Sequence, residues 1–317
     1  MTAEQEFANA ANLGDATLFP ARDDARVRNG LVFPKIFPRF TISRGSSVFT
    51  MGSCFVRHIE EKLPEFDLPT LGFRTSKRER VGGDGRPNGI LNEFNPGTMC
   101  QRAEFAAHGA SFGDLCISPE NDGFVDLMLS KYVASVSMDR VLERRAEIDQ
   151  VYASLFRCET VIVTLGLVEA WYDKVTKLYL NRMPPAAAVL GGGGRYEMRV
   201  LDVDDAYPLL ERMVRALISM GLKKILLTVS PVPLEASFSG TDCVTANTFS
   251  KSVLLVCARR LTLKFPEVDY YPGYEIVTSG GPAAFRADAR HIQDDVVEQV
   301  TSYMLDHYVP DMSKLPG

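Results

Sequence analysis

Two kinds of segment alternate along the chain. Short, continuous apolar runs bounded by glycine or proline are "SSVFTM" (46–51), "TVIVTLG" (160–166) and "KKILLTVSPVP" (223–233). Runs of this length, rich in β-branched residues, fit strands buried on both faces. Longer segments carry apolar residues three and four apart and fit amphipathic helices. These are "CFVRHIEEKLPEF" (54–66), "NPGTMCQRAEFAAH" (95–108), "SMDRVLERRAEIDQVYASLFRC" (137–158), "VDDAYPLLERMVRALISMGL" (203–222), "TANTFSKSVLLVCARRLTLKF" (245–265) and "QDDVVEQVTSYMLDHY" (293–308). Ser53 and Asn95 are the predicted N-caps of the first two, and Pro64 falls near the end of the first. "VDYYPGYEIV" (268–277) predicts a last short strand and "WYDKVTKLYLNR" (171–182) a small hairpin. The charged, glycine-rich "RTSKRERVGGDGRPNG" (74–89) and "GGGG" (191–194) predict loops. Residues 1–45 show little periodicity and predict an extended arm.

Alternating strands and helices predict an α/β protein, a three-layer α/β/α sandwich with a mainly parallel sheet. The expected organisation is an arm over residues 1–45 and a single domain over 46–310. Ligands of such sheets bind beyond the C-terminal ends of the strands. Three junctions fall there: Gly52-Ser53-Cys54, Gly166-Leu167-Val168-Glu169 and Ser230-Pro231-Val232-Pro233.

Composition narrows the partners. The 317 residues are 46% hydrophobic and 24% charged, ordinary for a globular chain. A net charge of −5 argues against nucleic acid or an anionic membrane as the main partner. The N-terminus lacks the pattern of a secretory signal and no apolar run is long enough for a membrane span, so the expected location is cytoplasmic. The six cysteines are scattered, with no C-x-x-C pair, and read as thiols. "GGGG" lacks the Lys-Ser/Thr of a phosphate loop. No histidine has metal-ligand spacing, so neither a metal nor a cofactor is expected. The composition gives no oligomeric state.

Of the four histidines, His108 and His307 belong to helix surfaces. His291 differs, lying in "FRADARHIQDDVVEQV" three residues after Asp288. In a loop, Asp-x-x-His lets the carboxylate orient the imidazole and leaves its other nitrogen for a nucleophile. The plainer reading is a helix start with Asp288 as a surface charge.

The order of these blocks matches the SGNH (GDSL-like) hydrolases: a small nucleophile after the first strand, a Gly-ended strand in mid-chain, and Asp-x-x-His before the last helix. More specifically, "MGSCFVRHIEEKL" resembles the GSCFA family, with Val56 in place of the motif's final Ala. "TLGLVEAWYD" (164–173), "LLTVSPVPL" (226–234), "ANTFSKSVLLVCARRL" (246–261) and "YYPGYEIVTS" (270–279) carry the resemblance over about residues 45–305. It implies an SGNH-like fold and an acyl-group hydrolase or acyltransferase. Such an enzyme would form an acyl-enzyme with an ester or thioester, with carbohydrate or polysaccharide O-acyl groups as the substrate class of the wider clan.

SGNH enzymes carry Gly-Asp-Ser after the first strand, and the third residue reacts. On that pattern Cys54 is the nucleophile and Ser53 replaces the Asp. Position supports the choice, because a helix N-terminus favours a thiolate and Ser53 suits an N-cap; Ser53 stays the alternative. Asp288 and His291 complete the triad. His58, four residues on, is a rival contact for the thiol, with packing as its alternative. The implied oxyanion site includes Gly52, Gly166 and Ser230, but the usual Asn is missing. Asn95 either replaces it or caps its helix. Glu169 acts as a protonated donor or a substrate ligand, and Trp171 forms a sugar or acyl platform or packs in the core. The loop 74–80 is expected to border the entrance. The altered third block favours a second reading, a non-catalytic glycan- or partner-binding module that kept the fold.

Overall fold

The computed structural model describes residues 2–83 and 85–310. The three apolar runs form β1 (Val48–Gly52), β2 (Thr160–Leu165) and β3 (Lys224–Val229), and β4 (Val268–Tyr270) follows. They pair in parallel in the order β1-β2-β3-β4, with Val48 opposite Thr160, Lys224 opposite Thr160 and Ile225 opposite Val268. Every strand therefore ends on the same edge. The first three end at Gly52, Leu165 and Val229, side by side.

The strands are buried on both faces, which explains the unbroken apolar runs. Phe49, Met51, Val161, Val163, Leu165, Ile225, Leu227 and Val229 face one core. Helices α2 (Pro96–Ala107), α3 (Met138–Ala153), α4 (Val203–Ser219) and α5 (Cys243–Lys264) close that core. Val48, Ile162 and Leu226 face the other, with α1 (Phe55–Glu61), α6 (Gly273–Ser279) and α7 (Asp294–Tyr308). Burying each large apolar side chain contributes about 1.5–3 kcal/mol. The chain is thus a mixed α/β fold around a central parallel sheet, with helices on both faces.

The structure corrects several expectations. α1 stops at Glu61, before residue 66. Pro64 disfavours helical backbone at Leu63 and cannot donate to the ladder. Residues 1–45 are not wholly extended: Ala3–Leu13 is a helix with a Thr2/Gln5 capping box and no buried residue. Farther along, Leu31, Phe33 and Ile42 join the α7 core. The hairpin at 171–182 is present as Glu169–Asp173 paired with Leu178–Leu180, and Tyr196–Val200 adds a third antiparallel strand. The paired strands Ile117–Glu120 and Gly123–Asp126 were not foreseen, since Pro119 and Gly123 mask a four-residue pattern. Among the described residues, no helix is long and apolar enough to cross a membrane.

Candidate active site

Gly52 closes β1 with φ +121°, where side-chain-bearing residues are strained, and a Cβ there would lie 2.2 Å from the Thr164 carbonyl oxygen. The turn that follows packs flat against β2. Ser53 N–H donates to Thr164 O (3.1 Å), and the Ser53 and Thr164 hydroxyls pair at 3.1 Å. Ser53 is therefore buried against β2 and does not cap the helix, contrary to expectation. Cys54 holds the N-cap position without a side-chain capping bond and is partly exposed.

A buried polar network supports this turn from below. Arg57 and Glu60, both on α1 and both fully buried, form an ion pair, and Glu60 also accepts from Thr70 (2.7 Å) and Asn88 (2.7 Å). Arg57 Nε donates to Asn92 Oδ1 (3.0 Å). The segment 92–95 is stitched to both strand ends: Glu93 N–H donates to Gly52 O and Leu167 N–H to Phe94 O, each at 2.8 Å. Gly166 lacks a side chain for the same reason, since a Cβ would meet Phe94 O at 2.5 Å.

These strand ends open into a cavity of about 910 Å³. Its lining brings together eight of the ten sequence-predicted residues: Ser53, Cys54, Asn95, Gly166, Glu169, Trp171, Ser230 and His291. Gly52 lies beneath it, and Asp288 stands behind His291. Asp288 Oδ2 pairs with His291 Nδ1, while Oδ1 accepts from the backbone N–H groups of Arg290 and His291 (both 3.0 Å). The imidazole and those two N–H groups hold the Asp288 carboxyl well below the usual carboxylate range. The loop is a narrow turn, with Arg286 N–H donating to His291 O at 2.7 Å and Ile292 buried behind it. The His291 side chain is 47% exposed, so it stands at the solvent side of the cavity.

Several expected binding residues have structural uses. Asn95 Oδ1 caps α2 through Thr98 N–H (3.0 Å) and its amide donates to Leu180 O (3.1 Å). Glu169 accepts from Ser237 Oγ (2.6 Å) and Phe238 N–H (2.8 Å), latching the 234–241 loop over the site. Trp171 meets Phe238 edge-on at 5.9 Å, so the pair forms an aromatic wall. Ser230 Oγ accepts from Val232 N–H (3.4 Å) inside its own turn. Arg86 donates to His58 Nδ1 (3.0 Å) and binds Glu61. From the 74–80 loop, Thr75, Glu79 and Arg80 line the cavity, while Lys77 and Arg78 do not.

Two lining residues escaped the sequence reading. The Arg57 bond takes the acceptor end of the Asn92 amide, and no partner among the described residues takes its NH₂ end. Lys251, on α5, is 1% exposed and donates to Gly166 O (2.6 Å) and Val232 O (3.0 Å). Burial pulls its pKa down to about 7, opposed by the charge of a Cys54 thiolate. A signal for Lys251 was present: it shares a helix face with the buried Leu254, Ala258 and Leu261 at i+3, i+7 and i+10.

The family model described as "GSCFA family" matches residues 47–304. No curated protein matches the chain in sequence. Among solved structures, a mutant of an acetyl-xylooligosaccharide esterase from Geobacillus Stearmophilus is similar at 12% identity and a TM-score of 0.38, over 87% of this chain and all of that one.

Proposed function

The chain belongs to the GSCFA family, and from that premise we propose that it is an SGNH-like acyl-group hydrolase or acyltransferase with Cys54 as nucleophile. One observation carries the reading. A partly exposed thiol and an Asp-oriented imidazole line the same cavity, while the neighbouring Ser53 hydroxyl is bonded to Thr164.

Cys54 attacks the acyl carbon of an ester or thioester and forms a thioester with the enzyme. Asp288 fixes the His291 tautomer by accepting from Nδ1, which leaves Nε2 as the general base. His291 serves the thiol or the acceptor, a water or a substrate hydroxyl, that resolves the intermediate. Asn92, held by Arg57 through its oxygen, presents an amide donor to the developing oxyanion in place of the missing Asn. The Trp171–Phe238 wall suits a sugar face, so carbohydrate O-acyl esters are the proposed substrates.

The test is turnover of chromogenic acetyl esters and of acetylated oligosaccharides by the wild type and by Cys54→Ala and His291→Ala. Loss of turnover in both variants, with melting temperatures retained, supports the reading. Unchanged turnover in Cys54→Ala contradicts it, and binding of glycans without turnover by the wild type would favour a non-catalytic module.

A further inference from the structure

A buried amine lies at the floor of the cavity. Lys251 reaches up from α5 between the ends of β2 and β3, and its Nζ donates to one carbonyl from each following segment, Gly166 O and Val232 O. The adjacent Ser250 Oγ accepts from Val168 N–H (3.0 Å), so the same helical turn grips the 166–168 segment twice. No acidic side chain among the described residues pairs with Lys251. A buried ammonium without a carboxylate partner is costly to keep for structure alone, and two carbonyls could be satisfied by an uncharged donor.

Cys54 and Lys251 line the same cavity together with Gly166, whose carbonyl Lys251 holds, and among the described residues a Cys54 thiolate opposes the effect of burial on the amine. Of the other titratable groups in the lining, Glu169 is committed to the 234–241 loop, His58 is bonded through Nδ1 to Arg86, and His291 belongs to the solvent-side loop with Asp288. Donation to two carbonyls uses two N–H bonds. The fourth position on nitrogen is a lone pair in the amine and a third N–H in the ammonium. In either state it has one group left to serve.

Resting on the reading of Cys54 as nucleophile, we propose that Lys251 is the proton partner of Cys54, leaving His291 to serve the acceptor. The proton leaves Cys54 Sγ for Lys251 Nζ, so thiol and amine become thiolate and ammonium with no change in net charge. The thiolate forms the S–C bond, the acyl C–O bond breaks, and the departing alkoxide takes the proton back from the ammonium. In the second half, His291 removes a proton from water or an acceptor hydroxyl, the new C–O bond forms and the S–C bond breaks, and the departing thiolate receives that proton from the imidazolium. The division matches position: Lys251 is buried at the floor, and His291 stands half exposed at the solvent side. α1 spans only seven residues, so its dipole offers the thiolate little compared with a full charge.

The test is the pH dependence of iodoacetamide alkylation at Cys54, read by peptide mass in the wild type, Lys251→Met and His291→Ala. Lys251→Met should slow alkylation at pH 7 by about tenfold or more and move its midpoint upward by about a pH unit, while His291→Ala should leave alkylation fast. With an acyl ester, His291→Ala should accumulate acyl-enzyme and Lys251→Met should form little. Fast alkylation in Lys251→Met, with the wild-type midpoint, overturns the proposal and leaves Cys54 as nucleophile intact. Slow alkylation of Cys54 in the wild type overturns the nucleophile assignment itself. Should Lys251→Met fail to fold, the Lys251 amine is titrated by ¹⁵N NMR in the wild type and Cys54→Ala. Removing the thiolate should move its titration to lower pH, and an unmoved titration overturns the proposal.

Discussion

Replacing Glu169 with Gln should loosen the wall of the cavity without unfolding the domain. The carboxylate accepts two hydrogen bonds, from Ser237 Oγ and Phe238 N–H, in a site where Glu169 is 8% exposed. Bonds to a charged acceptor contribute about 1.5–3 kcal/mol each, and an amide oxygen retains one of them at about 0.5–1.5 kcal/mol. The loss is therefore about 1.5–5.5 kcal/mol, and it falls on the loop, because β2 and β3 are held independently by their ladder. A 2 kcal/mol change in local opening corresponds to about a 30-fold loss of protection at the Phe238 amide. Hydrogen exchange followed by mass spectrometry or NMR reads that amide directly. Trp171 is the chain's only tryptophan and touches Phe238, so its fluorescence should shift as the wall opens. Unchanged protection at Phe238 together with unchanged fluorescence would refute the latch.

Gly52→Ala should cost about 3 kcal/mol or more, since the new Cβ collides with Thr164 O at a positive φ; a urea midpoint equal to wild type would contradict this. Ser53→Ala should lose about 1 kcal/mol from its hydroxyl pair with Thr164 and keep most turnover, whereas a dead Ser53→Ala enzyme would reverse the choice of nucleophile. Asp288→Asn should lower the rate by releasing the His291 tautomer, measured as a fall in kcat with binding little changed. The pH sign follows from the lowered Asp288 pKa. A carboxyl depressed on folding stabilises the native form above its ordinary value of 3.8 and loses that contribution only as pH falls through the lower, native value. The Asp288–His291 pair should thus persist in NMR spectra at about pH 4, and its dissolution there would contradict the assignment.

The sheet was legible because its strands are buried on both faces: an unbroken run such as "TVIVTLG" has few other uses. The convergence of Cys54, Gly166 and Ser230 followed from parallel strands ending on one edge. The Asp288–His291 pair was legible from its spacing, because three residues in a loop suffice for contact. Ser53 was misread because a serine before a helix normally caps it, and only the pairing of β1 with β2 turns its hydroxyl toward Thr164 instead. No local pattern marks the charged Arg57 and Glu60 as buried. Their burial depends on Asn88 and Thr70, which are distant in sequence. Asn92 and Lys251 reach the cavity through contacts spanning 35 and 85 residues, to Arg57 and Gly166; the helix face of Lys251 marks its burial but not its place in the cavity. The helix Ala3–Leu13 was missed because it buries nothing and so carries no core-facing stripe.

Cysteine accessibility makes the central claim open to direct measurement. Burial pushes the thiols of Cys100 and Cys257 up to about 12 and those of Cys116 and Cys158 up to about 11, so these four should stay inert. Rapid quench of His291→Ala with an activated acetyl ester, followed by peptide mapping, locates the acyl group. The account predicts one acetyl on Cys54, labile to neutral hydroxylamine as a thioester and absent from Cys54→Ala. An acetyl on Ser53 as a stable oxygen ester, or none on either residue while the wild type turns over, would contradict it.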